Sequence, residues 1–124
     1  MAQEGDILWQ ASPARQEATQ IKSYLDWLAD RGQSFDGYAD LWQWSVDHPA
    51  AFWRSLWDYF DILHDGAIDE VMTAAPMPRT RWFTGTRLNY AEHVLRHETT
   101  GDPDRIMLHH SSELRDLAAM SWAE

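Results

Sequence analysis

Two pairs of histidines are the residues of this chain whose type and spacing come closest to metal chemistry. His93 and His97 stand four positions apart on a predicted helix, a spacing that can bind a metal ion if a third ligand comes from elsewhere. His109 and His110 end a predicted strand, where adjacent side chains face opposite ways and cannot chelate one ion together. We interpret both pairs as structural and predict no metal site.

The carboxylates offer a second kind of chemistry. Asp58 and Asp61 share a face of a predicted helix, and Asp61 and Asp65 are similarly spaced, so a carboxylate pair for acid–base catalysis stays open. A solvated helix face explains them more simply, and the denser oxygen pattern of a calcium loop is missing. The six glycines are isolated, so no glycine-rich phosphate loop or Gly-x-Ser-x-Gly elbow is present. We assign no catalytic or cofactor-binding residue.

Tryptophan is the unusual component of the composition, with eight residues in 124. Five of them fall in one predicted three-helix region, where we interpret them as core or interface: Trp27, Trp42, Trp44, Trp53 and Trp57. The alternative is a ligand platform, because an exposed indole can stack on sugars or cations. Trp82 is the best candidate for docking onto something outside this chain, because its flanks are extended rather than helical.

Charge and composition limit the classes of partner. The formal net charge is −10, which argues against nucleic acid and anionic membranes, since both attract positive surfaces. Arg79, Arg81 and Arg87 form one local basic cluster, which we interpret as a solvated rim around an aromatic segment. The chain has no cysteine, so disulfides and thiolate chemistry are excluded. It shows no secretory signal pattern and no apolar run of about 20 residues, so we expect a cytoplasmic protein.

Three helices are predicted in the first half of the chain. Ser12-Pro13 predicts a helix start, and the 3.6-residue period continues to Asp30, with Gly32 as a left-handed cap. Its predicted buried face is Ala14, Ala18, Ile21, Tyr24, Leu25 and Leu28.

A second helix is predicted from Tyr38 to Asp47 with Asp36 as its cap, and a third from Pro49 to Leu63. The second should bury Leu41, Trp42, Ser45 and Val46, and the third Phe52, Trp53, Leu56, Trp57 and Phe60. Large aromatics need cover, so 12–63 should form one helical subdomain.

The second half alternates extended and regular segments. We predict an extended linker over 64–87, with a weak strand from Ala67 to Thr73. The same range includes an aromatic plug, by which we mean the pair Trp82-Phe83 closed by Gly85. A helix over 88–98 follows, with an apolar face of Leu88, Ala91, Val94 and Leu95, and then a strand pair over 104–122. The predicted fold is a single domain, 1–124, mainly α with a short β-hairpin near its C-terminus.

One motif carries a family resemblance. The pattern Trp-Phe-x-Gly-x-x-Leu-Asn-Tyr-Ala-Glu-x-x-Leu over 82–95 resembles the N-terminal region of acetoacetyl-CoA synthetases, which are adenylate-forming acyl-CoA ligases. Other segments resemble that region in the same order: Leu8 to Pro13, Leu41 to Val46, Phe52-Trp53, and Ser121 to Glu124, the last resembling a helix start.

The resemblance implies a function for a longer parent. Such a ligase joins a short acyl acid (acetoacetate) to coenzyme A using ATP and magnesium, and its nucleotide-contacting residues would follow Glu124. It implies a helical, structural capping domain here, unlikely to be catalytic alone, with the remainder of the ligase as partner. The expected docking residues are Trp82, Phe83, Arg87, Leu88 and Tyr90. The alternative is a free-standing Trp-rich protein–protein interaction module that pairs with itself or with another protein.

Overall fold

The computed structural model describes residues 3, 6 and 8–123, which fall into two compact units. The first unit comprises Met1–Asp61 and Val71–Trp82, and the second comprises Ile62–Glu70 and Phe83–Glu124. The elements in chain order are α1 Pro13–Glu17, α2 Gln20–Ala29, α3 Tyr38–Asp47, α4 Pro49–Tyr59, β1 Glu70–Met72, β2 Trp82–Thr84, α5 Tyr90–Leu95, α6 His97–Thr100, β3 Ile106–Ser112 and β4 Arg115–Ser121.

The first predicted helix is interrupted at Thr19. The Ser12 hydroxyl caps α1 by accepting from the Arg15 N–H, as the Ser-Pro signal predicts. Thr19 then leaves helical geometry at φ −89° and ψ 152°, and its hydroxyl accepts from the Lys22 N–H at 3.2 Å to cap α2. A single helix to Asp30 was therefore wrong, because a threonine hydroxyl can offer the backbone a cap in place of a continuing turn.

The ends of the other helices in the first unit agree with the sequence in part. Gly32 takes φ 83° and its N–H bonds to the Ala29 carbonyl, which confirms the left-handed cap. The predicted cap at Asp36 was wrong, because Gly37 stands at the N-cap and the Asp36 N–H donates to the Asp40 carboxylate. The helix predicted to reach Leu63 ends instead at Tyr59.

The core of the first unit is small and aromatic. Tyr24, Leu28 and Leu41 are buried and form its centre, and Trp57 on α4 is also buried. Partly buried side chains pack around that centre: Leu25, Trp27, Phe35, Trp44, Phe52, Leu56 and Tyr59. The Tyr24 hydroxyl shares a hydrogen bond of 2.5 Å with the Ser55 hydroxyl, which joins α2 to α4.

Several residues predicted to be buried are exposed. On the first helix they are Ala14, Ala18 and Ile21; on α3, Trp42 and Val46; and on α4 and its C-cap, Trp53 and Phe60. Periodicity identified the apolar faces of the helices, but other parts of the described chain do not cover every residue on those faces. The large exposed side chains lie between 45% and 55% accessible.

The second unit carries a hairpin and two short helices. β3 and β4 pair antiparallel with two register shifts: β3 has the extra residue between Ile106 and Leu108, and β4 has it between Arg115 and Ala118. The Asn89 side chain caps α5 by accepting from two backbone N–H groups, and the predicted single helix over 88–98 is divided into α5 and α6 at Arg96. After Ser121, Trp122 and Ala123 form a turn, and Glu124 lies outside the described residues.

The fold is mixed rather than mainly helical. β1 and β2 form a two-stranded sheet in addition to the β3–β4 hairpin, so the prediction of one hairpin in a mainly α fold needs correction. The sequence signal for β1 was weak, and β2 coincides with the aromatic plug, where we predicted no strand. Within the part of the chain that is described, no helix is long and apolar enough to cross a membrane.

Candidate functional site

The aromatic plug is held by tight backbone geometry. Phe83 takes φ 47° and Gly85 takes φ 86°, a left-handed conformation that is strained for phenylalanine and natural for glycine. A Cβ on Gly85 would collide with the Ala67 carbonyl oxygen and with the Asp69 carboxylate. The segment after Phe83 therefore needs glycine at position 85 for two reasons, its dihedral angle and the close approach of 67–69.

Trp82, in the first unit, lies against Trp53 of α4. Their ring centroids are 5.8 Å apart at an interplanar angle of 68°, an edge-to-face contact. Trp82 is 40% exposed and Trp53 is 45% exposed, so the pair also presents indole surface outward. The sequence indicated Trp82 as a docking residue but not that it would share this surface with Trp53.

Arg87 and Leu88 line an open groove of about 430 Å³ in the second unit. Asp65 and Arg87 hold its wall together through reciprocal backbone hydrogen bonds of 2.8 and 2.9 Å. The other lining residues are Leu63, His64, Asn89 and Glu92. Leu88 is 52% exposed and Tyr90 is 75% exposed, so apolar surface lies beside charged and polar groups. A mixed, open surface of this kind is typical of contacts between proteins, whereas small molecules usually bind in enclosed pockets.

The histidine pairs do not assemble into one site. His93 lies on α5 and His97 begins α6, so they do not share one continuous helix. The His93 Nδ1 accepts from the Leu63 N–H at 3.2 Å, and the His97 ring meets Trp122 edge to face. His109 and His110 pair with successive residues of β4. Among the described residues, no group of three His, Cys, Asp or Glu side chains could hold a metal ion.

The aspartates predicted to share a helix face are separated by the end of α4. Asp58 lies on α4 and accepts from the Arg54 Nε at 2.9 Å, whereas Asp61 follows the helix at φ 47°. Asp65 belongs to the second unit and pairs with Arg87 through backbone atoms. The hypothesis of an acid–base pair on one helix face was therefore wrong for Asp58 and Asp61.

The other predicted features are distributed over both units. Arg79 and Arg81 are exposed in the first unit, whereas Arg87 belongs to the second. The Arg31 guanidinium lies 3.7 Å from the ring centroid of Trp27, so it would compete with any cationic ligand for that indole.

The sequence reasoning missed the exposure of the hairpin. Ile106 and Leu108 on β3 are 46% and 47% exposed, and Leu117 on β4 is 74% exposed. The signal was present in the sequence, because β3 and β4 both lack the strict apolar–polar alternation of a strand with one solvated face.

Comparison with known proteins shows which proteins this chain resembles. Residues 38–94 match the family described as acetyl-coenzyme A synthetase N-terminus. A malonamoyl-CoA synthetase of Penicillium aethiopicum is 41% identical over 93 residues, which are 73% of this chain and 13% of the relative. The acetoacetyl-CoA synthetase of Gallus gallus is 35% identical over 115 residues, which are 89% of this chain and 16% of the relative.

A solved structure is similar as well. The acetoacetyl-CoA synthetase from Streptomyces lividans superposes with a TM-score of 0.79 at 34% identity, covering 93% of this chain and 18% of that chain. The chain thus spans less than one fifth of the length of each of these three relatives. The similarity includes both the Trp-rich helices and the segment that carries the aromatic plug.

Proposed function

We propose that this chain caps an acyl-CoA ligase. The premise is that residues 38–94 match the acetyl-coenzyme A synthetase N-terminus family and that most of the chain resembles acetoacetyl-CoA synthetases. Its role is structural: the docking residues pack against the remainder of the ligase, and the chain is not catalytic alone. The observation that carries the proposal is the exposure of these residues. Leu88 and Tyr90 are more than half exposed, and the Trp53–Trp82 pair is partly exposed.

The surface area supports this role. The chain exposes 10298 Å², whereas two separate compact domains of half its mass would together expose about 8,300 Å². Only four large hydrophobic side chains are buried, and twenty are exposed among the described residues. Exposed apolar surface of this extent marks contacts with other protein.

The proposed activity belongs to the whole ligase. We propose that it joins a short acyl acid to coenzyme A with ATP and magnesium, as an acid–thiol ligase. The relatives named above form acetoacetyl-CoA and malonamoyl-CoA, two acyl groups that share a second carbonyl on the third carbon, so we propose acetoacetate as the first substrate to test. Among the described residues, no three His, Cys, Asp or Glu side chains converge as metal ligands. We propose that ATP, magnesium and coenzyme A bind to the rest of the enzyme.

The test is a chimera of the Streptomyces lividans synthetase in which this chain replaces the matching 18%. We expect the chimera to catalyse ATP–pyrophosphate exchange with acetoacetate, and the pure 124-residue chain to show none. The double substitution Leu88→Glu and Tyr90→Glu should lower the thermal midpoint of the chimera, because charge would enter the buried contact. The control is Leu8→Glu, at a leucine that is 80% exposed and lies outside 38–94. Exchange by the isolated chain, or an equal effect of both changes, would contradict the proposal.

The second candidate is a free-standing interaction module, and exposed Trp42 and Val46 on α3 favour it. In this case the chain would pair with itself or with another protein without any ligase. Light scattering coupled to size-exclusion chromatography tests the self-pairing form of this candidate, because a module that pairs with itself elutes as a dimer. A monomer at micromolar concentration favours the capping role. The expected cytoplasmic location is part of the same proposal and can be checked by cell fractionation.

A further inference from the structure

α3 has two apolar faces, and only one of them packs into the core of the first unit. Leu41 is 5% exposed at the centre of that core, and Trp44 packs against it. Tyr38, Trp42 and Val46 are spaced i, i+4 and i+8, so their side chains form one ridge along the helix. Their exposed fractions are 64%, 54% and 55%. We call these three side chains the α3 ridge, an apolar surface that stays largely open in the described residues.

Within α3, no charged residue borders the ridge. At 3.6 residues per turn, Asp40 and Asp47 lie roughly 140–160° around the helix from the centre of the ridge. The residues nearest to the ridge are Ala39, Ser45 and Gln43, which are small or uncharged. A ridge of i and i+4 side chains packs into the groove of another helix. The matching surface is therefore the apolar face of a helix.

The α3 ridge is too small to hold a separate protein firmly. Two half-exposed aromatic side chains and one valine offer roughly 300–400 Å². The contact would bury about twice that area in total, whereas stable complexes of separate proteins bury about 1,200–2,000 Å². Two copies of this chain would also bring together two net charges of −10. A partner on the same polypeptide needs less area, because the linkage keeps its effective concentration high.

We propose that the α3 ridge receives the apolar face of a helix from the ligase body, meaning the part of the enzyme outside the matched region. This inference rests on the capping function proposed above. The Streptomyces lividans relative has more than four fifths of its length outside the matched part, and that length is tethered to it. α3 lies inside the 38–94 family match. Because Leu88 and Tyr90 belong to the second unit, each unit would make a contact of its own with the ligase body.

The first test measures cover at one position of the ridge. The chain contains no cysteine, so Val46→Cys introduces a single thiol, and peptide mass spectrometry reads its labelling in the chain and in the Streptomyces lividans chimera. Labelling should slow at least about tenfold in the chimera. The matched control is Ile21→Cys, because Ile21 is also β-branched, lies on α2 and is 45% exposed. Its labelling rate should change by less than about twofold.

The outcomes separate this inference from the capping function. An active chimera in which the thiol at position 46 reacts as fast as in the chain alone overturns docking of the ridge and leaves the capping function intact. Equal slowing at positions 21 and 46 also overturns it, because the cover would not be specific to the ridge. A dimeric isolated chain with slow labelling at position 46 overturns it too, since the occupant would be a second copy. A chimera whose thermal midpoint ignores Leu88→Glu with Tyr90→Glu overturns both proposals.

The second test places a charge in the ridge about two turns from the thiol. Tyr38→Asp alters the first residue of α3, where an acidic side chain suits the helix dipole, so α3 should stay folded. Combined with Val46→Cys, it should return the labelling rate of the chimera to within about threefold of the chain alone, because a buried carboxylate opposes docking. The matched control is Ile21→Asp in the first turn of α2, which should leave position 46 protected. Continued protection with Tyr38→Asp would overturn the proposal.

Discussion

The rings of Trp53 and Trp82 meet edge to face with their centroids 5.8 Å apart, which ties the start of β2 to α4 within the first unit. Trp53 in turn contacts Phe52 at 5.5 Å, and Phe52 contacts Trp44 at 6.0 Å. A continuous aromatic row thus leads from the partly exposed Trp82 to side chains packed against the buried core. Trp82, for which docking is a prediction, thus belongs to the same series of ring contacts as the side chains around the core of the first unit.

The Trp53–Trp82 contact should appear as a coupling energy. In a double-mutant cycle with Trp53→Ala and Trp82→Ala, we expect about 0.5–1.5 kcal/mol of coupling in the free energy of unfolding, measured with urea. The control pairs Trp42→Ala with Trp82→Ala, because Trp42 is 54% exposed on α3, and its coupling should be near zero. Equal coupling in both cycles would show that the edge-to-face contact contributes nothing specific.

Leu28 should be the most sensitive aliphatic position of the first unit. It is 2% exposed, so Leu28→Ala should lower the free energy of unfolding by about 2–5 kcal/mol through lost burial and a cavity. Ile21 lies on the same helix but is 45% exposed, and Ile21→Ala should cost less than about 1 kcal/mol. Urea unfolding followed by circular dichroism provides both values. A loss at Ile21 as large as that at Leu28 would contradict the observed core.

Two glycines with similar dihedral angles should respond differently to alanine. Gly32 and Gly85 take φ 83° and 86°, so each substitution incurs a left-handed strain of about 1–2 kcal/mol. A Cβ on Gly32 would meet nothing within 4 Å, whereas on Gly85 it would collide with backbone and carboxylate oxygens. Gly85→Ala should therefore change amide chemical shifts across 65–69 and 83–87, while Gly32→Ala should change only its immediate neighbours. NMR spectra of both variants test this difference. A change confined to the immediate neighbours of residue 85 would show that the collision is absent.

Tyr24 should make stability sensitive to alkaline pH. Burial raises the pKa of its phenol above the ordinary value near 10, and the hydrogen bond with Ser55 opposes that rise. The unfolded chain therefore ionises first as pH increases, so this stabilisation is complete below about pH 10 and is lost as pH rises through the folded pKa. Urea midpoints between pH 8 and 11 should fall more steeply for the wild type than for Tyr24→Phe. Parallel curves would exclude Tyr24 as a cause.

Local signals predicted the starts of helices better than their continuation. Ser12 and Pro49 mark real starts because a cap and a first-turn proline act within a few residues. Thr19 interrupts the first predicted helix because its hydroxyl can cap a new helix, an option that a hydrophobic period does not register. The early end of α4 at Tyr59 is a similar case, since apolar residues continue beyond it to Leu63.

Burial was harder to predict than secondary structure, and the reason is physical. Trp42 lies at a helix-spaced apolar position of α3, and Leu88 lies just before α5. Both side chains are nevertheless more than half exposed. An amphipathic pattern predicts that one face of a helix is buried, but it does not predict which protein segment buries that face. Docking at Trp82, Phe83, Arg87, Leu88 and Tyr90 remains a prediction for the same reason.

The chain passes between its two units three times, after Asp61, Glu70 and Trp82. A single genetic crossover at any point from 61 to 83 would consequently divide at least one unit between two parents. The units cannot be shuffled separately as cassettes by one recombination event. Natural exchange between related genes should thus transmit both together, and engineers who graft this region onto another enzyme should place their junctions outside both units.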